Sequence, residues 1–142
     1  VGSEMCIRDS LKGYGIKAGA VALSIAHDSH NIIVVGVSDE EMEFAVNSLI
    51  AQEGGMVLVK EGKVIESMPM PIAGLMSDQS GEWVDEKLTA IHAKAYEELG
   101  IAGDVEPVMT LCFMSLAVIP EVKLTDMGLF DVTTFSFIPV EA

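Results

Sequence analysis

The chain is poor in positive charge and poor in cysteine. Eight lysines and arginines face 22 acids over 142 residues, a formal net charge of −14. A polyanionic nucleic-acid backbone, or an anionic membrane surface, would repel such a molecule. No basic–aromatic patch offsets this, and the acids are spread along the chain as a solvated surface. The two cysteines, Cys6 and Cys112, have no metal-binding or redox spacing. They exclude a disulfide framework and fit a reducing cytoplasm. No apolar run reaches the ~18 residues needed to span a bilayer. Also missing are GxGxxG, the P-loop, GxSxG and HExxH, which removes the common dinucleotide, phosphate, serine-hydrolase and zincin signatures.

What is present is a globular composition: 50% hydrophobic and 21% charged residues. The length suits one domain with a real core. Mean hydropathy is +0.43, high for a soluble domain. The excess apolar surface is expected to cover an interface, to a further domain or a subunit, as well as a core. The first ten residues, VGSEMCIRDS, stand apart. They hold Arg8, the single arginine, lack the apolar stretch of a signal peptide, and resemble translated sequencing-adapter read-through. Setting them aside removes two acids and one base, so the acidity remains. On this reading the native domain is 11–142, its true N-terminus is lost, and the chain is expected to be the tail of a longer protein.

Residues 20–26 read as a strand after two glycine breaks. IIVVGV, 32–37, reads as a second strand, apolar on both faces and therefore buried. SDEEMEFAVNSLIAQEGG is a helix capped by Ser38 or Asp39, with Met42, Ala45, Val46, Leu49 and Ile50 at helical spacing and Gly54–Gly55 as its stop. GMVLVKEGKVIESMPM is a hairpin around KEGK. PMPIAGLMSD is a loop. SGEWVDEKLTAIHAKAYEELG is a helix capped by Ser80, with a stripe of Trp83, Val84, Leu88, Ile91, Ala95 and Leu99. VMTLCFMSLAVI, 108–119, reads as a strand or a strand running into a turn, PEVKLTDMGLFDV as a loop, and TTFSFIPV as a closing strand. The fold class is α/β in the mixed α+β sense: one domain, a mixed sheet of about five to seven strands, and two main helices.

The chemistry-bearing stretch is AHDSHN, 26–31. His27 and His30, three residues apart with Asp28 between, can bind a divalent metal or move protons. Ser29 and Asn31 could orient the rings or bond a polar ligand. A plain strand connection, with Asp28 and Asn31 bonding the backbone, explains the same residues. Two histidines do not complete a metal site, so spacing assigns no metal ligand here. A polar ligand-contacting loop fits better than a metal site, beside the plain strand connection. The second candidate is PIAGLMSD, where Gly74 permits close approach and Ser77 and Asp78 supply polar groups, or simply start the next helix. In the third, Lys123, Thr125 and Asp126 sit in a turn ending at Gly128, with Asp126 as turn-former. His92 is expected on a helix flank, at the surface or half-buried. Cys112 is core rather than nucleophile.

Three blocks together, GAVALSIAHDSHNIIVVG, MPIAGLMSD and MTLCFMSLAVIPEVKLTDMGLFDV, make the chain from Leu11 to Val140 resemble the C-terminal domain of adenine deaminase, in the amidohydrolase superfamily. The resemblance implies a parent hydrolase converting adenine to hypoxanthine and ammonia in purine catabolism. It implies a divalent metal, manganese or iron, activating water in a TIM-like barrel that precedes this domain. The metal ligands and catalytic groups belong to that barrel, so none is assigned here and the fragment alone is expected to be inactive. What carries over is the loop of His27, Asp28, Ser29, His30 and Asn31, expected to approach the active-site mouth and shape the purine pocket or a metal's surroundings. The implied partners are adenine, the barrel and sister subunits of a cytoplasmic homo-oligomer, with no nucleic acid and no membrane. Two readings stay open: a free-standing small-ligand-binding module, and an oligomerisation domain without catalysis.

Overall fold

Two segments are apolar at nearly every position, and both lie at the centre of a sheet. They are β1 (Ala20–Leu23) and β3 (Gly55–Lys60). A strand covered on one face alternates; a strand covered on both has no polar face to show. In this computed structural model, which describes residues 11, 13–125 and 127–139, β1 pairs antiparallel with both β2 (Ile33–Gly36) and β3, and β3 pairs with β4 (Lys63–Pro69). The sheet order is β2-β1-β3-β4.

Helices close both faces. Val21, Leu23, Met56, Leu58 and Met68 point into one core cluster with Ile91 and Ala95 of α2 (Gly81–Glu97), Leu99 just beyond that helix, and Val108 and Leu111 of α3 (Pro107–Cys112). Ala20, Ala22, Val57 and Val59 face the other way, against Ala45 and Leu49 of α1 (Asp39–Ala51). The period-two alternation of β1 and β3 thus sorts their side chains into two cores, with helices outside each. Gly19 permits the close packing at the start of β1. It has φ +70, and an added Cβ would strike the Val59 carbonyl and the Leu99 side chain.

The helix caps follow the sequence. The Ser38 hydroxyl accepts from the Glu41 N–H at 3.3 Å and Ser80 from the Trp83 N–H at 3.3 Å, each with acids in the first turn. Ile50 lies on the outside of α1, exposed, although its spacing matched the buried stripe. The hairpin around KEGK forms as expected, between β3 and β4.

Four expectations need correction. β2 is not buried on both faces: it is an edge strand whose four residues are half-buried, and flanking Ile32 and Val37 are exposed. Its composition matches β1; what differs is that no strand among the described residues pairs with its outer edge. Residues 108–119 do not form a strand. Glu106 caps α3 through the Met109 N–H, Pro107 occupies the first turn, and Val108, Leu111 and Cys112 turn inward at helical spacing; turns follow to Pro120. PEVKLTDMGLFDV is not a loop but a hairpin of β5 (Val122–Thr125) and β6 (Gly128–Asp131), joined by β7 (Ser136–Ile138) in a separate three-stranded sheet. The mixed α+β class and the seven strands hold, but the strands divide between two antiparallel sheets instead of sharing one mixed sheet. Thr125 secures the turn by donating to the Gly128 carbonyl at 2.8 Å and accepting from the Met127 N–H at 3.2 Å. Asp126, the expected turn-former, lies outside the described residues, as does the opening ten-residue segment. No helix among the described residues is long and apolar enough to cross a membrane.

Candidate functional site

The three sequence blocks that looked most distinctive converge on one end of the four-stranded sheet. The register sets Leu23, at the end of β1, beside Ile33 at the start of β2 and Met56 at the start of β3. AHDSHN therefore leaves the sheet where the β4–α2 loop also leaves it. Ser24 joins the two loops: its hydroxyl donates to the Gly74 carbonyl at 2.5 Å and accepts from the Gly55 N–H at 2.8 Å. The third block arrives through α3. The His27 N–H donates to the Cys112 carbonyl at 2.9 Å, and the Cys112 thiol donates to the Ile25 carbonyl at 2.7 Å. Cys112 is buried, in keeping with a core role.

Five consecutive residues, His27–Asn31, are exposed at this end. The His30 N–H closes a turn onto the Ala26 carbonyl at 2.7 Å, with His30 in the left-handed region at φ 55. The His27 ring leans on Phe113, centroids 5.2 Å apart at an interplanar angle of 51°. His27, Asp28 and Ser29 form one wall of a cleft of about 340 Å³; Ser115, Leu116 and Ala117, in the turns after α3, form the other. The cleft is shallow and open to solvent on its outer side.

The cleft combines an imidazole, a carboxylate, two hydroxyls and an apolar wall. Among the described residues, the Asp28 carboxylate has no hydrogen-bond or ion-pair partner of its own. The Ser115 hydroxyl oxygen is buried and likewise unpartnered. Buried hydroxyls nearly always have a partner, so this oxygen is an exception in the segment after α3. No three or more His, Cys, Asp and Glu side chains among the described residues come together so as to hold a metal ion. The residues of this cleft therefore do not fit a metal centre by themselves, and no chemical step is derived through one.

Of the candidates, His27, Asp28 and Ser29 share the cleft; His30 and Asn31 lie in the same exposed turn but do not line it. Ser77 and Asp78 are not in the cleft. They make local bonds ahead of α2, Ser77 accepting from the Gln79 N–H at 3.2 Å and Asp78 from the Gln79 side-chain amide at 2.8 Å. His92 sits half-exposed on α2, 2.5 Å from Glu106, the cap of α3. Lys123 is buried within β5 rather than placed in a turn. Sequence reasoning missed Ser115 and Phe113. One signal was available: Ser115 is the sole polar residue between Cys112 and Pro120.

Comparison with known proteins places these features in a lineage. The family model described as adenine deaminase C-terminal domain matches residues 4–136. Adenine deaminase 2 of Desulfotalea psychrophila is 75% identical over 132 residues, 93% of this chain and 23% of that protein. Adenine deaminase of Halalkalibacterium halodurans is 53% identical over 128 residues, 90% of this chain and 22% of its own length. Adenine deaminase of Bacillus subtilis is 47% identical over 131 residues, 92% and 22%. The chain thus spans less than a quarter of the length of these curated relatives.

Proposed function

Because the chain belongs to the adenine deaminase C-terminal domain family, we propose that it is the C-terminal part of an enzyme that hydrolyses adenine to hypoxanthine and ammonia. The catalytic groups and the divalent metal, manganese or iron, are held by the remainder of that enzyme. This domain contributes the cleft between His27–Ser29 and Ser115–Ala117, which shapes one side of the purine pocket or orients the groups around the metal. Ser77 and Asp78 act further out, on the loop that Ser24 ties to the same sheet end.

One observation carries this reading: the AHDSHN turn and the segment after α3 are bonded together at one end of the sheet, where His27–Ser29 and Ser115–Ala117 line an open cleft, with the Gly74 loop tied to the same sheet end through Ser24. The chemistry suits a purine. Its planar face can lie along Leu116 and Ala117, while its ring nitrogens and exocyclic amino group alternate donors and acceptors, which Asp28, Ser29, Ser115 and the His27 imidazole can match. The acidic surface fits a cytoplasmic enzyme of purine metabolism that binds no nucleic acid. The unusually high hydropathy fits a domain that buries surface against its own enzyme and sister subunits.

The test is to express this chain together with the coding sequence upstream of it and follow adenine spectrophotometrically, with manganese supplied. Hypoxanthine and ammonia in equal amounts support the reading. A well-folded, metal-loaded product that leaves adenine untouched would sink it.

A further inference from the structure

The three-stranded sheet carries apolar side chains on both faces, with the buried Lys123 beside Phe130. Its register places Leu124, Leu129 and Ile138 side by side across all three strands, with Val122 on the same face. The opposite face carries Phe130 and Phe137 as direct neighbours, and Phe135 packs edge-on against Phe130 with centroids 5.2 Å apart. Phe137 is 53% exposed, Leu124 45%, and Met127 and Phe135 76% each. No other described helix or strand packs on this sheet beyond, at most, a marginal contact. A small sheet gains its stability from a covered apolar face, and monomers rarely leave one open. The apolar strip also reaches back toward the cleft. Exposed Val118 and Ile119 precede β5 and follow directly on Ser115, Leu116 and Ala117 of the cleft wall.

We propose that this sheet is the surface by which the domain packs onto the catalytic portion of its own polypeptide, seating that portion beside the His27 cleft; this rests on the adenine deaminase reading above. Size and charge select this occupant over a second copy. The strands have four, four and three residues, well short of the ~20–30 residues a side of an interface that holds free partners together. Two copies would also each bring a net charge of −14. A tethered partner needs far less contact, because the covalent link supplies an effective concentration in the millimolar range. Such a partner is available on this reading, since the Desulfotalea psychrophila relative aligns over only 23% of its length.

The test uses the full-length enzyme, with Leu124 or its same-face neighbour Val122 replaced by a photo-reactive benzophenone amino acid. Glu61, exposed in the β3–β4 turn, serves as control position. Enzyme of normal and of heavy isotopic composition is mixed before irradiation, and the cross-links are mapped by mass spectrometry. The proposal expects links from Leu124 and Val122 to residues preceding this domain within one isotopic copy, none from Glu61, and loss of the Val122 link when Leu124→Glu is added. Links joining heavy to light copies, or no links above the control, overturn it. Adenine turnover is assayed separately on the unmodified enzyme. A protein that cross-links as expected but leaves adenine intact fails the substrate reading alone; one that turns over adenine without the links fails the docking proposal alone.

Discussion

Ser24 and Gly74, fifty positions apart in sequence, are joined by a hydrogen bond of 2.5 Å from the serine hydroxyl to the glycine carbonyl. The same oxygen accepts the Gly55 N–H at 2.8 Å. Gly54 lies against both partners: at φ +99, a Cβ there would come 2.6 Å from the Gly74 Cα and 2.9 Å from the Ser24 oxygen. Ser24→Ala therefore leaves one donor and one acceptor without their partner in a buried setting. The expected cost is about 1–3 kcal/mol in urea unfolding of the 142-residue chain. A midpoint unchanged from the parent would show that the bond does not fasten the loop.

Tyr14 fastens α3. Its hydroxyl donates to the Pro107 carbonyl at 2.8 Å, and the side chain is fully buried. Burial, with the negative charge of Glu106 adding to it, pushes the phenol well above its ordinary range. The folded value lies above the unfolded one, so this contribution is complete below the unfolded tyrosine pKa and is lost as pH rises toward the folded value. Tyr14→Phe should cost about 1–3 kcal/mol at pH 7, because the carbonyl loses its donor. That difference should shrink as pH climbs beyond about 10, where only the parent's unfolded chain ionises this group. Denaturation at pH 7 and pH 11 measures both; a constant difference would contradict the linkage.

Glu66 gives the acid-side counterpart. Burial alone would raise its carboxyl, but the hydrogen bond from Lys87 at 2.8 Å, the Ser67 N–H and the lysine charges outweigh this and hold it below the usual carboxylate range. A lowered folded value means that the stabilisation exists above the unfolded glutamate pKa and fades as pH falls through the folded one. Lys87→Ala should cost about 0.2–1 kcal/mol at pH 7, as a partly exposed pair does. Parent and variant should converge below about pH 4. A gap that persists in acid would assign the loss to the packing of Lys87 over Trp83 instead.

What the sequence revealed and what it hid have physical causes. The α1 and α2 helices were legible because Ser38 and Ser80 cap them, acids open them and apolar residues recur at helical spacing. The hairpin around KEGK was legible because its turn is local. The α3 helix was hidden by its surroundings: in VMTLCFM almost every residue is apolar, so no polar face betrays a helical period, and only Glu106–Pro107 marked a helix start. Hairpin β5–β6 was hidden because strands of four residues carry too short an alternation to stand out from turn residues. The edge position of β2 was invisible because pairing, not composition, decides it. HDSHN was legible as a turn between strands, but the wall that faces it was not. The bond from Cys112 to Ile25 that brings the two together spans 87 positions, and nothing local encodes it.

Ser115 separates a ligand role from a structural one. Its oxygen is buried without a partner among the described residues, so Ser115→Ala should leave stability within about 0.5 kcal/mol of the parent, or raise it slightly. In the full-length enzyme the same change should raise KM for adenine with little effect on kcat, as expected when a binding contact shared by ground and transition states is lost. A destabilised domain with unchanged KM would show the hydroxyl to be structural.

The most direct test of the account is steady-state kinetics of full-length enzyme carrying His27→Ala, with the exposed, non-lining Glu61→Ala as reference. If the cleft at the end of the sheet shapes the purine pocket, kcat/KM for adenine should fall by about 10–100-fold while the melting temperature and metal content stay those of the parent. Kinetics identical to those of Glu61→Ala would contradict it and leave AHDSHN as a strand connection.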